Sequence, residues 1–220
     1  MNKIISFLPI LLFSSHLLAQ QADQSKAILD KASATLNSYK TIASDFSYSS
    51  VNVQTNETIT EIGKIVIKNN KYHLSLKGSE VYFDGKDVYN YMPKENEVNI
   101  TYPEPSKTEK GEFFISNPRE IFKFQSKNFK SKFMRETTIK GTACYEVDLY
   151  PNDLKTKYSR IKLHIDKKSN HMVAIKIFEK EGLQQTIEFS NFKTNIEVPD
   201  SEFVFDSKKH PSVTVNDMRF

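Results

Sequence analysis

From residue 46 onward the chain alternates apolar and polar residues with a period of two, segment after segment. That period belongs to β-strands with one buried and one wet face, and it rules out a helical bundle. Phe46 and Tyr48 flank Ser47. Gly63, Ile65 and Ile67 alternate with Lys64, Val66 and Lys68, and Tyr72, Leu74 and Leu76 with Lys71, His73 and Ser75. Val81 to Phe83 follows, then Tyr89 and Tyr91 around Asn90, then Val98, Ile100 and Tyr102. After residue 134 the pattern resumes over Arg135–Ile139. It continues with Tyr145, Val147 and Leu149, then Ile161, Leu163 and Ile165, then Val173, Ile175 and Ile177, then Ile187 and Phe189, and ends with Phe203 and Phe205. Asn69-Asn70, Asp84-Gly85-Lys86, Pro93–Asn96, Gly141, Asp166–Asn170 and Gly182 supply turn residues between the runs, as short antiparallel connections need. The expectation is mainly β: a single antiparallel sheet of roughly ten strands with two or three helices.

Two segments break the pattern. Asp23 to Ile42 reads as a helix, with Ser25, Leu29, Ala32, Leu36 and Tyr39 on one face and Ile28 beside it. Asn117-Pro118-Arg119-Glu120 carries a cap, a first-turn proline and a returning carboxylate, so it opens a second helix through Ile121, Phe122 and Phe124, with Phe113 and Phe114 before it. A sheet with one apolar side must cover that side. These two segments are the available cover: Leu29 and Leu36 from the first, and Phe113, Phe114, Ile121, Phe122 and Phe124 from the second. Either the sheet closes into a barrel filled by its own side chains, or its concavity is underfilled and takes a ligand. The facing candidates are Phe46, Tyr48, Ile65, Ile67, Tyr72, Leu74, Leu76, Tyr89, Tyr91, Val98 and Ile100.

The first residues point to a compartment. Lys3 precedes a run from Ile4 to Leu18 that is apolar apart from serines and His16, and Leu17-Leu18-Ala19 leads into polar Gln20-Gln21. That is the layout of a secretory signal peptide, with cleavage expected after Ala19. Residues 1–19 are then the leader and 20–220 a single domain. Cys144, the only cysteine, cannot form an internal disulfide and reads as strand packing. The net charge of +4 is spread among both signs with no basic block, which does not support nucleic-acid binding.

No catalytic constellation emerges. Gly-rich phosphate loops and Gly-x-Ser-x-Gly are absent, and the carboxylates are scattered over polar strand positions. Among His16, His73, His164, His171 and His210, only His164 and His171 stand where they could meet, across one hairpin turn. Without a third ligand that pair is a poor metal site. No enzyme activity, cofactor or metal is expected.

Several stretches together resemble the LolA family of periplasmic lipoprotein carriers. They are Gly63-Lys64-Ile65-Val66-Ile67-Lys68, Lys71-Tyr72-His73-Leu74, and Phe83-Asp84-Gly85-Lys86-Asp87-Val88-Tyr89-Asn90-Tyr91-Met92-Pro93. Tyr145-Glu146-Val147-Asp148-Leu149-Tyr150-Pro151, Phe203-Val204-Phe205 and Val213-Thr214-Val215-Asn216-Asp217 complete the ordered set, from about residue 25 to 218. The Asp-Gly-Lys turn alone would be weak, but the ordered set is fairly specific. The resemblance implies an unclosed, curved half-barrel with helices over its concave face. It implies a monomeric periplasmic chaperone that takes up the acyl chains of lipoproteins. An inner-membrane lipoprotein-releasing ABC transporter would supply the cargo and an outer-membrane acceptor would receive it. A lipid- or glycolipid-binding or stress-sensing protein on the same scaffold is the alternative. Many members carry an Arg directly after the Lys that ends the first matched strand, where it holds the lid helices. This chain has Asn69 there, which can hydrogen-bond to a lid but carries no charge.

Overall fold

The computed structural model describes residues 13–103 and 128–219, with side chains from residue 23. Among the described residues there is one α-helix, α1 (Phe13–Asn37). The strands are β1 (Thr41–Asn52), β2 (Thr58–Lys68), β3 (Lys71–Leu76), β4 (Ser79–Phe83), β5 (Val88–Met92) and β6 (Glu97–Thr101), followed by β7 (Phe129–Ile139), β8 (Thr142–Pro151), β9 (Tyr158–Asp166), β10 (Met172–Glu179), β11 (Leu183–Thr194) and β12 (Thr214–Asp217). All twelve lie in one unclosed sheet of order β12-β6-β5-β4-β3-β2-β1-β11-β10-β9-β8-β7. Two antiparallel meanders, β1–β6 and β7–β11, are thus joined where β1 pairs with β11. The mainly β, one-sheet expectation holds.

α1 buries Ser25, Ile28, Leu29, Ala32 and Leu36 on the expected face. It stops at Asn37 rather than Ile42. Ser38 closes it, its N–H donating to Ala34 O at 3.1 Å and its Oγ to Thr35 O at 2.7 Å. Thr41 and Ile42 are β-branched and gain ladder partners in Lys68 and Ile67 by joining β1, which outweighs continuing a helix in which such residues are poor formers.

The expected turns all turn. Asn69, Asn96 and Asn170 adopt left-handed φ of +53°, +50° and +58°, which Asn tolerates better than most residues. Three corrections stand beside them. β7 begins at Phe129, since Phe129, Ser131 and Phe133 alternate with Lys130 and Lys132 ahead of the expected start. Phe203 and Phe205 do not form a strand: after Pro199 the chain makes a 3₁₀ turn, Asp200–Phe203. The last strand is instead β12, parallel to β6 in an otherwise antiparallel sheet, with Val215 opposite Val98. The second expected helix, with Phe113, Phe114, Ile121, Phe122 and Phe124, lies outside the described residues.

Phe46 stands at the centre of the sheet, opposite Gly63 on β2 and Phe189 on β11, and is 1% exposed. A Cβ at Gly63 would collide with the Phe46 ring and come within 2.5 Å of Ser75 O. Gly63 therefore makes the slot in which the ring lies. Gly63→Ala should lower stability by about 1–3 kcal/mol, read as a lower urea midpoint with unchanged slope; an unchanged midpoint would mean that the slot is not needed.

Candidate functional site

Register divides the side chains between two faces. On one face, Ile67 stands beside Tyr72, Ile65 beside Leu74, Tyr48 beside Ile187, Ile175 beside Leu163, and Val147 beside Phe133. α1 lies on this face and is tied to β7 by the Ser25–Ser131 hydroxyl pair at 2.8 Å. The core packed here includes Ile28, Leu29, Leu36, Ile42, Phe46, Ile65, Ile67, Tyr72 and Leu74. Around it runs a fringe of half-buried apolar side chains: Tyr48, Leu76, Phe83, Val88, Phe129, Phe133, Tyr145, Phe189 and Phe192. The buried polar side chains on this face are uncharged among the described residues: Ser25, Ser44, Ser50 and Gln185. Ser44 donates to Ser190 O at 2.7 Å. Near the C-terminal end of α1, Tyr39 OH lies 2.9 Å from His171 Nε2, and the His171 ring sits 4.2 Å from Phe192. Burial holds His171 below its ordinary pKa despite nearby Asp166, so the ring is neutral at pH 7 and adds no charge.

The expected facing set splits. Phe46, Tyr48, Ile65, Ile67, Tyr72, Leu74 and Leu76 share the α1-covered face. Tyr89, Tyr91, Val98 and Ile100 point to the opposite face, where Tyr91 pairs with Val98 and Tyr89 with Ile100. The reason is a strap formed by the C-terminal residues. Phe205 packs 5.1 Å from Tyr91 and is stacked 4.8 Å from His210, and Val213 joins the same small cluster. Aromatic residues on β5 thus fill a second, separate core.

Non-local polar contacts pin this strap. Asp200 accepts from Lys68 at 2.8 Å and from Lys71 at 2.9 Å, and those two amines hold its carboxyl down at about 2. Lys68 also donates to Val198 O, and Thr41 to Ile196 O. Arg219 reaches the buried Asp87 at 2.7 Å. His73 sits between two carboxylates, Nε2 at 2.6 Å from Glu80 and Nδ1 at 2.9 Å from Glu202, with Tyr82 stacked on it at 4.2 Å. Burial pulls the His73 pKa down, but its bonds with Glu80 and Glu202 raise it further, and the net shift is upward from 6.5. Tyr82 is pushed up to about 12 by burial and by the charges of Glu80 and Glu202.

Other readings resolve simply. His164 and His171 do not approach each other: His164 Nε2 faces Glu146 at 3.4 Å, while His171 joins Tyr39. No group of three His, Cys, Asp or Glu is placed to hold a metal among the described residues. Cys144 is buried and its thiol pKa is raised by burial, so it is packing rather than a nucleophile. Asn69 is an exposed turn residue whose N–H donates to Lys40 O at 3.3 Å. No described helix is long and apolar enough to cross a membrane.

α1 thus lies across an apolar sheet face whose buried polar side chains, among the described residues, are all uncharged. Residues 15–182 match the family described as "Outer membrane lipoprotein carrier protein LolA", and the chain belongs to that family. An uncharacterized protein of Methanocaldococcus jannaschii is 28% identical over 138 residues; the match spans 63% of this chain but only 38% of that relative. An uncharacterized conserved protein from Thermus thermophilus superposes with a TM-score of 0.59 at 10% identity, covering 88% of this chain and 99% of the other. A DUF1329 family protein from Desulfovibrio piger gives 0.50 at 14% identity, covering 84% and 97%. Both likenesses show the fold.

The charge state of His73 gives a pH test. Its pKa is raised by folding, so its contribution is complete below the unfolded value near 6.5 and is lost as pH rises through the higher folded value. Glu80, lowered in the fold, works in the opposite sense and fails only as pH falls below its ordinary 4.5. The stability difference between the wild type and His73→Asn should therefore shrink as pH rises above about 6.5. The comparison of variants cancels His164 and His171, whose lowered values act with the opposite sign. A difference that stays constant across this range would show that His73 is not a charged clasp.

Proposed function

We propose that this protein is an envelope carrier that takes the acyl chains of lipoproteins onto its α1-covered face and moves them between membranes. The observation that carries this reading is the apolar face under α1, whose buried polar side chains are uncharged among the described residues, with its half-buried aromatic fringe, in a chain of the lipoprotein-carrier family. Each methylene taken from water is worth about 0.8 kcal/mol. Even partial burial of several chains then gives on the order of 10 kcal/mol before ordering costs. Tyr48, Leu76, Phe83, Val88, Phe189 and Phe192 are the side chains that a ligand would meet, with Ile65, Ile67, Tyr72 and Leu74 beneath them. Such a face needs no catalytic group, cofactor or metal.

In this reading residues 1–19 direct export and are removed, and residues 20–220 act as a monomeric domain in the periplasm. An inner-membrane ABC transporter that releases lipoproteins hands over the cargo, and an outer-membrane acceptor receives it. Phe113, Phe114, Ile121, Phe122 and Phe124 complete the lid. Asn69, bound into its turn, contributes a hydrogen bond there at most.

Protein purified from periplasm should carry triacylated protein, detected by mass spectrometry of the bound material, and should accept lipoprotein released from inner-membrane vesicles. Failure of both sinks the carrier reading. Free phospholipid or glycolipid as the bound species would instead favour a lipid-binding role on the same face. Leu76→Gln, on the fringe rather than in the deep core, should fold and lose about tenfold in lipoprotein uptake, the cost of placing one unpaired amide against acyl chains.

A further inference from the structure

The face opposite α1 has two unlike halves. Over β2–β6 it is covered by the chain's own C-terminal strap. Over β7–β10 no described element covers it. There, register places Lys130 and Lys132 beside Tyr150 and Asp148, and Lys176 beside Lys162, with Arg135 and Arg160 on the same side. Six cations thus share this half-face with three carboxylates, Glu146, Asp148 and, at the end of β9, Asp166.

Glu146 and Asp148 are at the bottom of the layer, 4% and 0% exposed. Lys162 bridges them, Arg160 reaches Asp148 at 3.2 Å and Arg135 reaches Glu146 at 3.3 Å. The buried acids therefore fix the cations in place without cancelling them. Lys130, Lys132 and Lys176 have no ion-pair partner among the described residues. Lys176 stands directly across from Lys162, which is already paired with Glu146 and Asp148. Apolar surface is interleaved: Phe178 lies under Arg160 at 4.1 Å and Lys176 at 5.2 Å, and Met134 and Tyr150 are exposed.

From these observations we infer that this half of the face, over β7–β10, docks an acidic segment of a partner protein. The strap shows the same chemistry already in use next door. A stretch of this chain that includes the 3₁₀ turn Asp200–Phe203 lies on the sheet, sets Asp200 against Lys68 and Lys71 and Glu202 against His73, and buries Phe203 and Phe205. The half over β7–β10 offers the same materials, cations with aromatic and aliphatic ground between them, with no acidic segment over it among the described residues. Because this face lies on the far side of the sheet from α1, a partner here and an acyl chain on the other face can be held together. The inference does not depend on the carrier reading.

The test uses the full mature chain and fluorescent poly-L-glutamate. Binding should be saturable and should weaken steeply with salt, as exposed charge contacts do. The double variant K132E/K176E should weaken binding about tenfold in protein that circular dichroism shows to be folded. K94E/K208E, which makes the same charge change on exposed lysines outside the patch, should weaken it less than about twofold. Equal losses in the two double variants would overturn the inference, since attraction would then follow net charge alone. It would also be overturned if vesicles containing phosphatidylglycerol captured the protein through Lys132 and Lys176 while poly-L-glutamate did not. The face would then be a membrane surface.

Discussion

The Phe46 ring in the slot above Gly63 is the contact on which the sheet is organised. β1 is the strand shared by two meanders, and Phe46 faces both of its neighbours, Gly63 on β2 and Phe189 on β11. Burying a large aromatic here fixes the register of both pairings. A slip of one residue would turn every apolar side chain of β2 or β11 to the wrong face. Ile65, Ile67, Ile187 and, through them, Leu74 and Ile175 then have no choice of side. The apolar ground beneath α1 follows from that register, and so does the polar ground behind it.

Much of this was legible in the sequence because it is local. Alternation identified the strands, the Asn and Gly turns ended them, and the spacing of Ser25, Leu29, Ala32 and Leu36 gave the buried stripe of α1. What alternation cannot do is say which face of one strand continues which face of the next. β4 buries Val81 on the α1 side and offers Tyr82 to the strap, and β5 sends Val88 one way and Tyr89 and Tyr91 the other. Large aromatics on β5 looked like the α1-side core, yet they face the strap. The strap itself had only weak signals. Phe203 and Phe205 alternate as a strand would, and nothing local announces that Asp200 meets Lys68 and Lys71, about 130 residues earlier. The pairing of β12 with β6 is hidden for the same reason.

Behind the sheet, charge is handled in two ways. Around His73 two carboxylates raise the ring's pKa, and one of them, Glu202, ties the strap to β3. Across β8 and β9 the order is inverted: the carboxylates are buried and the cations lie over them. Burial alone would push the Glu146 carboxyl up, but Lys162, Arg135 and His164 more than offset this and it stays ionised. A polar layer of this kind gives specificity of register more than net stability. It also makes the two halves of one face unlike, one covered from within the chain and the other without a cover among the described residues.

The pairing of β1 with β11 also sets a timetable. Ser44 and its partner Ser190 are 146 residues apart, so the first strand leaves the ribosome long before its second neighbour exists. β1–β6 can form by hairpins, but one side of β1 stays without a ladder until nearly the whole chain has been made. A closure of that range is entropically late and slow. Until then an unpaired edge and an unfinished apolar face lie open to any other chain nearby. Assembly is thus governed by the last third of the sequence: its arrival, rather than the hairpins that precede it, marks the moment at which the molecule becomes safe from its own surface.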